Sequence, residues 1–67
     1  MADLEKLKER IDASGVKRIH IANKLGVTPL SLRRKLSGEQ PLTLDNVRVF
    51  TEVLHLTGDE VHDIFFA

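Results

Sequence analysis

The chain contains no cysteine, no tryptophan and no tyrosine. Without cysteine there are no disulfide staples and no thiolate metal sites, a composition suited to a reducing cytosol. Three phenylalanines are the whole aromatic complement, too few for the platforms on which single-stranded bases stack. No apolar run approaches the ~20 residues that a bilayer-spanning helix needs. The stretch Met1-Ala2-Asp3-Leu4-Glu5-Lys6 carries acids and no apolar run, so no signal peptide is expected. There is no phosphate-cradling glycine loop, and Ser14, Ser31 and Ser37 lack the sequence context of an activated nucleophile. His20, His55 and His62 fall on separate segments. Asp59 and Asp63 stand near the last two, but without cysteine or tight histidine spacing no functional metal is expected. An enzyme, a cofactor and a small-molecule substrate are therefore not expected. At 67 residues the chain is one domain, small enough to bury only about 60% of the surface its unfolded form exposes.

Acid is missing from one long stretch. The formal net charge is zero, but residues 17–38 carry Lys17, Arg18, Lys24, Arg33, Arg34 and Lys35 and no acidic side chain. Residues 1–16 carry three bases against four acids, and residues 39–67 one base against six acids. A cationic middle between acidic ends gives the field a direction, and a polyanion is drawn to one face.

What is present reads as five helices and no strand. The first covers about Asp3 to Ser14, with Leu4, Leu7 and Ile11 on one face and Gly15 as a left-handed stop. The second runs from about Arg18 to Leu25, turns Ile21, Ala22 and Leu25 to one side, and ends at Gly26. Thr28 caps the third, Pro29 takes its first position, where a missing N–H costs nothing, and Gly38 ends it. Glu39-Gln40-Pro41-Leu42 is a short loop. Thr43 opens the fourth, whose Leu44, Val47, Phe50, Thr51 and Leu54 form one stripe and Val49 and Val53 a second, so this helix is expected to be the most buried. Thr57-Gly58-Asp59-Glu60 is a capping box for the fifth, with Val61, Ile64 and Phe65 on its apolar face. The expected core is Leu7, Ile21, Ala22, Leu25, Val27, Leu32, Val47, Phe50, Leu54 and Ile64. Gly26-Val27-Thr28 joins two short helices in three residues, which is the helix-turn-helix signature. Ala22 is small enough for the third helix to cross closely over the second.

The stretch Ile21-Ala22-Asn23-Lys24-Leu25-Gly26-Val27-Thr28, with Leu32 and Ser37-Gly38 beyond it, resembles the phage repressor and Cro-type helix-turn-helix family. Thr43-Leu44-Asp45 through Leu54, and Ile64-Phe65-Phe66, are similar to short regulators of Gram-positive phages and prophages. The resemblance covers about residues 4–66. Two positions depart from it: Arg18 stands where many members have Gln, and Leu36 where many have an acid. The resemblance implies a compact all-α, five-helix, lambda-repressor-like domain over residues 1–67, with the helix-turn-helix at about 18–37. It implies a sequence-specific, double-stranded DNA-binding transcriptional regulator in the cytoplasm of a bacterial host.

In such a domain the third helix enters the major groove with its N-terminal residues toward base edges. The resemblance puts Thr28, Pro29, Leu30, Ser31, Arg33 and Arg34 there, with Leu32 inward. Arg34 is the foremost candidate for guanine O6 and N7; the alternative is a solvated helix charge. Leu30 either meets a thymine methyl or turns inward against the fourth helix. Lys17 and Arg18, at the start of the second helix, are expected at phosphates, and Lys35, Ser37 and Gly38 at a second phosphate. Lys24 reads as a surface charge. His20 reads as a surface imidazole or a further phosphate contact. Phe66 lies off the apolar stripe; it either plugs the core or serves as a dimer contact, since a two-fold operator is read by a homodimer. The alternative to DNA binding is a protein-interaction adaptor of antitoxin or anti-regulator type on the same fold. The chain is then either a complete Cro-like protein or the DNA-binding half of a longer repressor.

Overall fold

Local signals decide where each helix starts and stops. In the computed structural model, which describes residues 2–67, α1 spans Leu4–Ser14, α2 Arg18–Leu25, α3 Pro29–Ser37, α4 Leu44–Leu54 and α5 Gly58–Val61. A π-helical segment, His62–Phe66, continues α5. Among the described residues there is no strand. Asp3, Thr28, Thr43 and Thr57 each accept a backbone N–H three residues on, at the N-termini of α1, α3, α4 and α5. α2 differs: it begins on Lys17, which makes no side-chain capping bond. Gly26 ends α2 at φ +73°, and a Cβ there would meet nothing within 4 Å. The glycine answers the left-handed backbone and not a lack of space.

Eleven buried apolar side chains join into one core: Leu7, Ile11, Ile21, Ala22, Leu32, Leu36, Phe50, Leu54, Leu56, Ile64 and Phe65. α1 packs on α3, α4 and the π segment, while α2 packs on α3 and α4. Phe50 lies at the centre, its ring 6.3 Å from that of Phe65. Ala22 is fully buried, as the close crossing of α2 and α3 requires. Leu25, Val27 and Val47, expected inside, lie half-buried against this core. α4 does bury the most residues, but Leu44 at its first position is 77% exposed, not part of the inner stripe. Leu44 stands six residues before Phe50, about 120° around the helix axis from it, and so lies off the buried face.

The sequence reading made the last helix a plain α-helix, whereas its hydrogen bonding widens to the π register after Val61. Ile64 and Phe65 still face inward. The two ends of the described chain meet there: Asp3 N donates to Ile64 O at 2.6 Å, and Lys6 Nζ reaches Asp63 at 2.9 Å. Arg10 completes the clamp by donating from Nε to Glu60 Oε2 at 2.9 Å and from a terminal nitrogen to Leu54 O at 3.0 Å. No helix among the described residues is long and apolar enough to cross a membrane.

Candidate nucleic-acid interface

Leu32 and Leu36 are four residues apart and point α3 into the core. A helix turns about 100° per residue, so Leu30, Arg34 and Ser37 form the ridge that faces directly away from the core. All three are exposed, Leu30 by 44%. Leu30 is therefore not the inward residue of the alternative reading. Arg33 lies on the flank toward α2, where Arg18, Pro29, Leu30, Leu32 and Arg33 line a groove of about 380 Å³. Thr28 and Pro29 are exposed at the head of the helix, with Thr28 Oγ1 held by Ser31 N at 3.1 Å.

The other flank of α3 is occupied by the fold itself. Ser31 is half-buried, and its hydroxyl donates to Gln40 Oε1 at 2.8 Å. Lys35 Nζ donates to Pro41 O at 3.1 Å and to Asn46 Oδ1 at 3.0 Å. Its ammonium is thus turned toward the α3–α4 loop and away from the face of Arg33 and Arg34. A second phosphate near the end of α3, where the sequence puts Lys35, would have to draw that ammonium from these two oxygens. Ser37 Oγ lies 3.0 Å from both Arg34 O and Glu39 Oε2, and the Glu39 carboxylate repels any phosphate brought there. The Gly38 N–H, at φ +88°, closes the end of α3 onto Arg34 O and Lys35 O. Neither Ser37 nor Gly38 keeps a free donor for a second phosphate contact.

The cations divide sharply. Lys6, Lys8, Arg10 and Arg48 each hold a carboxylate at 2.9 Å. Arg48 takes two, Asp45 and Glu52, whose hydrogen bonds and charges raise its already high pKa. Among the described residues, Lys17, Lys24, Arg33 and Arg34 pair with no carboxylate, and Arg18 reaches only the exposed Asp12 at 3.4 Å. Every cation left free or loosely held lies in the acid-free stretch. Lys17 and Arg18 also sit where α2 has no acid in its first turn and no side-chain cap, so the partial positive charge of that helix end is not neutralised locally.

Two residues that hold the site in place have no role in the sequence reading. Among the described residues Asn46 is the one buried polar side chain, and its Oδ1 accepts both Thr43 N at 3.1 Å and Lys35 Nζ. Gln40 anchors Ser31 from the loop. The spacing Thr43-x-x-Asn46 was a visible cue, because it mirrors the Thr57-x-x-Glu60 box.

Elsewhere, Phe66 is 54% exposed and lines a groove of about 440 Å³ with Leu4, Pro41, Leu42, Leu44 and Val47. It does not plug the core. His20 and His55 line a shallow depression with Lys24 and Glu52. Among the described residues no group of three His, Asp or Glu side chains could hold a metal ion. Comparison with family models, curated proteins and solved structures finds no match for the chain.

Proposed function

We propose that the chain is a sequence-specific regulator of the phage repressor or Cro type that binds double-stranded DNA. In this reading α2, the Gly26–Thr28 turn and α3 act as a helix-turn-helix within a lambda-repressor-like domain. The observation that carries it is the segregation of free cations: Lys17, Arg18, Arg33 and Arg34 are exposed and unpaired or loosely paired, while the cations of α1 and α4 are neutralised. A folded chain gains nothing from leaving like charges together, and a polyanion removes that cost. Arg34 and Leu30 on the outward ridge of α3 are the base readers. Thr28 and Pro29 bring the head of the helix to the groove, and Arg33 stands at its edge. Lys17 and Arg18 meet a phosphate at the uncapped start of α2. Phe66 is the proposed contact of a homodimer on a two-fold operator.

The test is a titration of the chain against duplex DNA at a series of salt concentrations. Affinity should fall by ~0.9 log units per log unit of salt for each phosphate neutralised. An affinity flat with salt removes the reading. The exposed Leu44 and Phe66 favour a second reading, a protein-interaction adaptor on the same fold. An adaptor leaves the cations of residues 17–34 without purpose, and it would bind its partner unchanged when Arg33 and Arg34 are replaced.

A further inference from the structure

We propose that Leu30 makes this face a reader of the 5-methyl group of a pyrimidine, so that 5-methylcytosine replaces thymine at one position of the site. The inference rests on the DNA-binding reading and specifies what that surface recognises. Leu30 is a large apolar side chain left 44% exposed on the outward ridge of α3. The groove beside it is lined by three apolar residues, Pro29, Leu30 and Leu32, and by Arg18 and Arg33. No acidic residue lines it. The two cations select a polyanion and the apolar part of the lining selects an apolar group carried by it. On the major-groove edges of the four base pairs, one group is apolar: the C5-methyl of thymine. Methylation of cytosine at C5 puts the same group at the equivalent place on a G·C pair. Leu30 responds to the methyl and to nothing that distinguishes the two bases by hydrogen bonding.

Arg34 fixes where this methyl stands. It follows Leu30 by four residues, about 40° around the axis and ~6 Å along it. Base pairs are spaced ~3.4 Å apart. The methylated pyrimidine therefore lies one or two base pairs from the guanine that Arg34 reads. The site is a methyl-pyrimidine and guanine pair, and methylation of a cytosine creates it from a sequence that otherwise lacks it.

The experiment starts from a duplex enriched by the full chain from a random pool. Each thymine in turn is replaced by deoxyuridine, which keeps the pairing and loses the methyl. At the same positions T·A is replaced by C·G and by 5-methylcytosine·G. Removing one buried methyl should weaken binding about fourfold at one position, and the methylated cytosine should bind about fourfold more tightly than the unmethylated one there. In Leu30→Ala both ratios should fall to about one. Alanine at this exposed helical position is a strong helix former, and a circular dichroism spectrum of the variant checks that it is folded. Uridine tolerated at every thymine overturns the inference, as does a uridine penalty that survives in Leu30→Ala. Salt-dependent binding with no enriched sequence overturns it while leaving DNA binding in place. No binding of any duplex overturns the DNA reading and this inference together.

Discussion

Lys35 Nζ lies 3.0 Å from Asn46 Oδ1, and the same oxygen accepts the N–H of Thr43 at the start of α4. One side chain therefore joins the end of α3 to the cap of α4, across a loop that contains Pro41. Removing Asn46 loses the cap and leaves the half-buried Lys35 with one acceptor fewer. Asn46→Ala should destabilise the domain by ~1–2 kcal/mol. Lys35→Met should cost ~1 kcal/mol and leave the salt slope of DNA binding unchanged. Urea melts and salt titrations of both variants check this. A Lys35→Met slope shallower by ~1 would return Lys35 to the phosphate contacts.

Two left-handed residues should respond in opposite directions. Gly26 has φ +73° at the α2–α3 turn and His55 has φ +53° at the end of α4. A Cβ in this region costs ~1–2 kcal/mol. Gly26→Ala should destabilise by about that amount, although no neighbour is closer than 4 Å. His55→Gly relieves the same strain and should stabilise, by up to ~1 kcal/mol. Thermal melts of the pair suffice; destabilisation by His55→Gly would mean that the imidazole makes a contact worth more than the strain.

Glu60 sets part of the acid limit of stability. Its Oε1 accepts the N–H of Thr57 at 3.0 Å and its Oε2 accepts Arg10 Nε at 2.9 Å. The Thr57 backbone bond first, and Arg10 second, hold its pKa below the ordinary 4.5. A depressed carboxylate pKa stabilises the fold above the unfolded value, and that stabilisation is lost as pH falls through the folded value. Glu60→Gln should therefore flatten the fall in stability between about pH 5 and the acid-unfolded state. Urea midpoints measured for both proteins across that range decide it: parallel curves refute the linkage.

Helix boundaries were legible because each depends on neighbours in sequence. Thr28-Pro29, Gly26 and Thr57-x-x-Glu60 act within one turn, and the structure uses each as its chemistry dictates. The outward ridge of α3 was legible too, since Leu32 set the inward direction. The hydrogen-bond partners of Lys35, Ser31 and Ser37 were not legible in charge and spacing. Their partners Asn46, Gln40 and Glu39 lie in or beyond the loop, and whether a polar side chain faces solvent or a loop oxygen depends on how that loop folds back. Leu36 shows the same limit in reverse. It departs from the pattern that the resemblance implies, and its burial follows from sitting one turn after Leu32 on the core face.

Arg34 and Arg18 should separate sequence reading from positioning. Arg34 stands on the ridge opposite Leu32 and Leu36, one turn after Leu30, with no ion-pair partner. Its fork is free to take guanine O6 and N7, a pairing that discriminates by ~1–3 kcal/mol. Arg18 opens α2, which in the proposed mode faces phosphate oxygens common to every sequence, and its loose contact with Asp12 at 3.4 Å yields easily to a stronger anion. Arg34→Ala should therefore cost ~1–3 kcal/mol on a selected site and little on a scrambled duplex. Arg18→Ala should weaken both duplexes alike and reduce the salt slope by ~1. Titrating the two variants against both duplexes at two salt concentrations gives every quantity required. If Arg34→Ala weakens both duplexes equally, Arg34 is a backbone contact. Because Ser31 is tied to Gln40, specificity would then fall to Leu30.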